Sequence, residues 1–214
     1  MQLSIDIISD VICPWCFIGK RRFEKAVRLL PEDTQAQVRW RPFELNPHMP
    51  PEGMDRKLYR TRKFGSSERS QALDAQLTEA GASEGIPFAF DRMERTPNTV
   101  DAHRLIWLAG KEGAQGAMVD GLFDAYFIQG LDIGDREVLA HIAASAGVEE
   151  DRARAFLDSS EGRNEIQAEE LWARRLGVEG VPFFLINSGV AISGAQKPEI
   201  IAATLRQAIE AGVS

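Results

Sequence analysis

Apolar positions fall into short strand-like blocks at the two ends of the chain and recur at helical spacing between them. Leu3 to Ile8 is an apolar run that Ser9 and Asp10 interrupt, the length and composition of a first β-strand. Phe23, Val27 and Leu30 then follow Cys16 at helical spacing, predicting a helix that closes at Leu30-Pro31. Gln37 to Phe43 alternates as a second strand until Pro42 limits its ladder. The opening therefore reads as βαβ. Asn46 to Gly53 carries Pro47, Pro50 and Pro51 and reads as a loop.

From about Met54 to Arg163 almost every periodic segment predicts helix. Pro97-Asn98-Thr99 opens one through Trp107, with Asn98 at the N-cap and Asp101 placed to favour the helix dipole. Leu122, Phe123, Tyr126 and Phe127 make a further apolar face. Asp135 caps a helix whose Val138, Leu139, Ile142 and Ala146 form one stripe ending at Gly147. Such stripes are core surfaces, so the middle of the chain reads as an inserted helical bundle. Afterwards a helix reaches Leu176, with Gly177 and Val178 in the pattern of a Schellman close. Val181 to Asn187 reads as a strand with Pro182 near its first position, and Val190 to Ile192 as its hairpin partner across Ser188-Gly189. A last helix opens at Pro198 and runs through Ile200, Ile201, Leu205, Ala208 and Ile209 to Gly212. The predicted architecture is α/β: a discontinuous domain of residues 1–53 plus 164–214, interrupted by a helical domain of residues 54–163.

With 214 residues, 44% of them apolar, the chain can bury a real core as one large domain or two small ones. Its net charge of -7 argues against nucleic acid as a partner, because phosphate binding needs a basic footprint. The run Lys20, Arg21, Arg22 reads as a solvated helix face. No stretch of about 20 apolar residues could cross a bilayer, which argues against a membrane partner. The start, Met1-Gln2-Leu3-Ser4-Ile5-Asp6, has no basic segment of the kind that leads a secretory signal. A cytoplasmic location is expected, and the oligomeric state stays open.

The two cysteines change the picture most. They are the only ones in the chain and stand as Cys13-Pro14-Trp15-Cys16 where the first strand turns into the first helix. Pro14 suits the first helical position, where a missing N–H costs nothing. Cys13 then falls at the N-cap, where free N–H groups and the positive dipole end favour a thiolate. Cys16 lies one turn in, on the face that points to the core. Cys13 is therefore the expected attacking sulfur and Cys16 the shielded, resolving one. Zinc would need further ligands, and His48, His103 and His141 lie scattered without paired spacing. An inert structural disulfide closing so short a loop would stabilise little, and two unrelated buried thiols fit poorly beside Pro14 and Trp15. The pattern points to thiol–disulfide chemistry with no metal and no cofactor beyond the redox-active disulfide itself.

Taken together, Asp10 to Cys16, Arg41 to Pro47, Pro97-Asn98-Thr99 with Ala102-His103-Arg104, Gly180 to Phe184, and Ser193 to Gln196 resemble the thioredoxin superfamily. The similarity is to its DsbA-like branch, which inserts a helical domain, and within it to the FrnE-like cytoplasmic proteins. The resemblance implies a thioredoxin-like fold, a cis-proline at Pro182 brought close to Cys13, and a Val181 backbone that pairs with an extended substrate segment. Pro14, Trp15, Val181 and Pro182 would then support the site, with protein or small-molecule thiols and disulfides as partners. Periplasmic DsbA proteins carry histidine beside the second cysteine, where this chain has Trp15. A weaker oxidant is expected. A related branch, the glutathione-dependent chromene-carboxylate isomerases and kappa-class transferases, has serine at the first motif position. Asn98, Thr99 and His103 resemble that branch, so glutathione stays open as a co-substrate. A non-catalytic redox-sensing module is a third reading. Phe43, with Pro42 and Trp15, would line an apolar platform beside the motif, or simply be core. His103 shares a helix face with Val100 and Trp107 and serves either as an interdomain contact or as a proton relay.

Overall fold

The computed structural model describes residues 2–211, and the expected helix end at Gly212 lies outside them. The chain forms two compact units: Met1–Phe43 with Glu169–Ser214, and Glu44–Ala168. In the first, β1 (Gln2–Ser9) pairs in parallel with β2 (Gln35–Pro42), Gln2 opposite Gln35 and Ser9 opposite Pro42, joined through α1 (Pro14–Val27). On the other side β1 pairs antiparallel with β5 (Phe183–Ile186), and β5 with β6 (Val190–Ser193), giving the order β2-β1-β5-β6. β1 is central because its apolar run is buried on both faces toward its end, Ile7, Ile8 and Ser9 alike. α1 packs beside α9 (Pro198–Ala211), and the Phe23 ring stacks on Phe184 with centroids 5.6 Å apart. Each such buried aromatic contributes about 1.5–3 kcal/mol relative to exposure.

The second unit contains α2 (Arg56–Phe64), α3 (Ser67–Ala82), α4 (Val100–Lys111), α5 (Gln115–Asp124), α6 (Arg136–Ala146) and α7 (Glu150–Asp158). α5 runs into one π-helical turn, Ala125–Gln129, and α8 (Arg163–Arg175) carries the chain from this unit back into the first. It also holds a two-residue antiparallel ladder, β3 (Met54–Asp55) with β4 (Arg95–Thr96), too short to show any period in the sequence. Among the described residues no helix is long and apolar enough to cross a membrane.

Three local expectations change. The units divide after Phe43 and Ala168, not at 53 and 163. The 46–53 loop goes with the helices because Tyr59 Oη donates to Asn46 Oδ1 (2.6 Å) and Asn98 Nδ2 to the Met49 carbonyl (2.8 Å). At the other boundary, Arg41 Nη1 donates to Glu169 Oε1 at 2.9 Å and ties the second half of α8 to the sheet. Thr99, not Asn98, is the N-cap of α4; Asn98 Oδ1 instead accepts the Val100 N–H at 3.0 Å. Finally, Lys20 does not sit on a solvated face. It is buried and paired with Glu24 one turn on.

Candidate active site

The end of β1 and the start of α1 build the site. Asp10, fully buried, turns the chain: its carbonyl accepts the Cys13 N–H at 3.0 Å and its Oδ1 the Ile12 N–H at 3.4 Å. Cys13 is the N-cap residue in extended conformation, and Pro14 begins the helix. The Cys13 carbonyl accepts the N–H groups of Cys16 (3.0 Å) and Phe17 (3.4 Å). Its side chain makes no capping bond, which leaves the sulfur to chemistry.

Both cysteines are free thiols, and both are buried, Cys13 at 5% exposure and Cys16 at 1%. Access to Cys13 is thus narrower than an exposed helix start suggests. The Cys16 thiol is pushed well above the usual range, first by burial and then by its hydrogen bond and charge interaction with Cys13; the Ser9 hydroxyl and the Asp10 backbone N–H pull the other way. Cys16 therefore holds its proton in the reduced protein.

The start of β5 faces Cys13. The Cys13 thiol donates to the Val181 carbonyl across 3.7 Å, and the Val181–Pro182 bond is cis. The Pro182 carbonyl accepts the Gly194 N–H at 2.8 Å, which holds the segment against the loop after β6. Pro182 is seated on Gly19: a Cβ there would lie 2.8 Å from Pro182 Cγ and 3.5 Å from Ala195 Cβ. Arg22, nearly two turns past the motif, donates to the Ala195 carbonyl at 2.6 Å. Gly19, Ser9 and Arg22 were not singled out by sequence because their partners lie at the far end of the chain or in a neighbouring turn.

The remaining sequence candidates separate. Trp15 is 43% exposed beside the thiols, whereas Phe43 is buried, its N–H donating to the Ser9 carbonyl at 3.0 Å and its ring covered by the Arg174 guanidinium at 4.8 Å. Phe43 is held in the sheet beside the motif and offers little open platform. Asn98 and His103 belong to the helical unit. Asn98 has both ends of its amide engaged, and His103 is buried within α4. Among the described residues no group of three or more His, Cys, Asp or Glu is placed to hold a metal ion. Two thiols within one helical turn, one against the Val181 carbonyl and one more deeply buried, can be oxidised to a disulfide and can exchange with another one.

Comparison with solved structures finds the same fold in several proteins. A probable DsbA oxidoreductase, SCO1869 from Streptomyces coelicolor, superposes with a TM-score of 0.90 at 34% identity over 97% of this chain and 90% of its own. A 2-hydroxychromene-2-carboxylate isomerase shares the fold (TM-score 0.74, 15% identity, 99% of both chains). So does the cytosolic disulfide reductase DsbM from Pseudomonas aeruginosa, solved with glutathione (TM-score 0.68, 20% identity, 97% of this chain and 99% of its own). Residues 4–206 match the family model of the DSBA-like thioredoxin domain, and the chain belongs to that family.

Proposed function

We propose that this protein is a thiol–disulfide oxidoreductase of the FrnE-like cytoplasmic kind, in which Cys13 attacks and Cys16 resolves. The observation that carries the reading is the Cys13 sulfur at the start of α1, 3.7 Å from the Val181 carbonyl, with Cys16 fully shielded behind it. A substrate disulfide meets the Cys13 thiolate, its bond breaks, and a mixed disulfide forms on Cys13 with release of one substrate thiolate. Cys16, giving up its proton to that first substrate thiolate, then attacks the Cys13 sulfur, closes the Cys13–Cys16 disulfide and releases the second substrate thiolate. The reverse sequence oxidises a substrate dithiol. An extended substrate segment would lie along the Val181 backbone, whose carbonyl accepts from the Cys13 thiol, with Trp15 beside it. The glutathione held by DsbM makes glutathione the natural small-molecule partner to try, and that relative's cytosolic setting is the compartment this reading favours.

The test is exchange with oxidised glutathione and with a peptide disulfide, followed by mass spectrometry without reductant. Cys13→Ser is expected to abolish exchange, and Cys16→Ser to accumulate a mixed disulfide on Cys13, with both variants retaining their circular dichroism. The shared fold of the chromene-carboxylate isomerase supplies the competing outcome. Near-full activity of Cys13→Ser on a small aromatic substrate with glutathione would replace the redox reading with an isomerase or transferase one.

A further inference from the structure

Ser9 ends β1 with its side chain buried, 5% exposed, and among the described residues its hydroxyl completes no hydrogen bond of normal geometry, although it lies near enough to the Cys16 thiol to act on it. A buried hydroxyl left without a partner is uncommon, because its lost hydration is not replaced. Its backbone is fixed by its place opposite Pro42 in the β1–β2 ladder and by the Phe43 N–H donated to its carbonyl at 3.0 Å. The hydroxyl cannot drift to solvent. Cys16, whose thiol it adjoins, is 1% exposed, and the other donor near its sulfur is the Asp10 backbone N–H. The two groups make an incomplete pair while Cys16 carries its proton, and a complete one when it does not: an ionised sulfur is a strong acceptor and the hydroxyl is a donor.

We propose that Ser9 is a catalytic residue of this exchange reaction, its hydroxyl donating to the Cys16 sulfur whenever that sulfur carries negative charge. The proposal rests on the oxidoreductase reading above. In the resolving direction Cys16 gives its proton to the substrate thiolate released in the first exchange, the Ser9 hydroxyl holds the resulting Cys16 thiolate, and the new Cys16–Cys13 bond forms as the Cys13–substrate bond breaks and the second substrate sulfur leaves with the electron pair. In the opposite direction a substrate thiolate attacks Cys13, and Cys16 leaves as the thiolate that Ser9 receives. Either way the hydroxyl acts at the moment charge resides on a sulfur that no solvent reaches. The other titratable groups around this thiol are Cys13, the buried Asp10 of the preceding turn, and Lys20 with Glu24 further along α1. Ser9 differs from all of them in adding a donor without adding a charge.

The size of the effect follows from two opposed terms. Losing the donor lowers the Cys16 thiolate fraction near pH 7 about tenfold, the scale of one hydrogen bond to a charged group. A more basic thiolate is also a better nucleophile, with a Brønsted slope of about 0.4–0.5, which returns roughly threefold. Ser9→Ala should therefore resolve mixed disulfides about threefold more slowly near pH 7, and about threefold faster at pH values where Cys16 is fully ionised. A merely structural defect would not reverse sign with pH.

The experiment is acid-quenched single-turnover reaction of the reduced protein with oxidised glutathione across the alkaline range, for wild type, Ser9→Ala and Ser9→Thr. The lifetime of the Cys13 mixed disulfide is read by mass spectrometry. The expected result is a crossing profile for Ser9→Ala and a wild-type-like profile for Ser9→Thr, which keeps the hydroxyl. Coincident profiles for wild type and Ser9→Ala would overturn the assignment. A second measurement is independent of turnover: the ionisation midpoint of Cys16, followed by carbon-13 NMR of its Cβ in a Cys13→Ser background, where repulsion from the other sulfur is gone. Ser9→Ala should raise that midpoint, and an unchanged midpoint overturns the proposal. If wild type forms no mixed disulfide while the midpoint still moves, the oxidoreductase reading fails and the Ser9 contact stands.

Discussion

At the scale of single residues, the site depends on small groups as much as on sulfur. Gly19 is the floor on which Pro182 rests, and a methyl there would sit 2.8 Å from the Pro182 ring. The segment carrying Val181 must move, or α1 must. Gly19→Ala is expected to cost about 1–3 kcal/mol of stability, the usual range for overpacking, and to slow exchange with a peptide disulfide more than it slows alkylation of Cys13 by a small reagent. Paired denaturation and exchange measurements check it; unchanged peptide exchange would show that the Val181 backbone plays no part in binding. A second expectation concerns the thiols: limiting iodoacetamide at neutral pH should label Cys13 before Cys16, since Cys16 is both more buried and held protonated. Peptide mapping reads the ratio directly. The Cys13-Pro14-Trp15-Cys16 spacing made these roles legible because an N-cap, a proline at the first helical position and a thiol one turn below are all local relations. Gly19 and Ser9 were not legible. A glycine inside a helix and a serine at a strand end acquire meaning only from the Pro182 ring and the Cys16 thiol that folding places against them.

At the scale of elements, buried ions do the joining. Arg104 of α4 is fully buried and bonds Asp101 Oδ1 (2.7 Å) and the carbonyls of Phe156 (2.8 Å), Ser159 (2.8 Å) and Glu161 (2.8 Å), closing the C-terminal end of α7. Its guanidinium also lies 4.8 Å from the Phe156 ring centre. A cation at a helix C-terminus meets the negative end of the dipole, and here it also satisfies the last carbonyls. Arg104→Met should lower stability by about 3–5 kcal/mol, because it strands those carbonyls without partners. Chemical denaturation checks this, and a loss below about 1 kcal/mol would mean that water replaces the guanidinium. On the sheet, Arg41 bonds Asp6 Oδ1 (2.7 Å) and Glu169 Oε1 (2.9 Å) and lies 5.1 Å from the Trp172 ring centre. Glu169 is raised above the usual carboxylate range: burial and nearby Asp6 push it up, and the charges of Arg41 and Arg39 only partly oppose them. A carboxyl raised on folding favours the folded state below its ordinary pKa, and that contribution fades as pH rises through the raised value. The stability of wild type relative to Glu169→Gln should therefore fall as pH rises from about 4 to about 7. Thermal melts of both proteins across that range decide it, a constant difference being the contrary result.

At the scale of the whole molecule, the order of elements was legible and the allegiance of the segments between them was not. The period-two blocks at the ends and the helical stripes in the middle already give βαβ, helices, ββα. The 44–53 loop carries no period at all, so its place in the helical unit is decided by Asn46, Tyr59, Met49 and Asn98 through hydrogen bonds formed only on folding. The resulting division has a consequence for assembly. β1 must pair with β5 across the entire inserted unit, whereas that unit is one continuous stretch, Glu44–Ala168, with its own buried residues Leu105, Phe123, Phe127 and Leu139. Loop-closure entropy grows only slowly with length, each doubling costing about 0.6 kcal/mol, so the insertion is a modest burden on the first unit and no requirement of the second. A fragment of residues 44–168 is accordingly expected to fold alone. Its α4–α6 amides should be protected from hydrogen exchange, with fraying confined to residues 163–168, the half of α8 cut off from the Arg41 contact. A dispersed amide spectrum with that protection pattern is the expected result. A collapsed, undispersed spectrum would show instead that the helical unit takes its stability from the sheet, and that the chain folds as one cooperative body despite its two-part architecture.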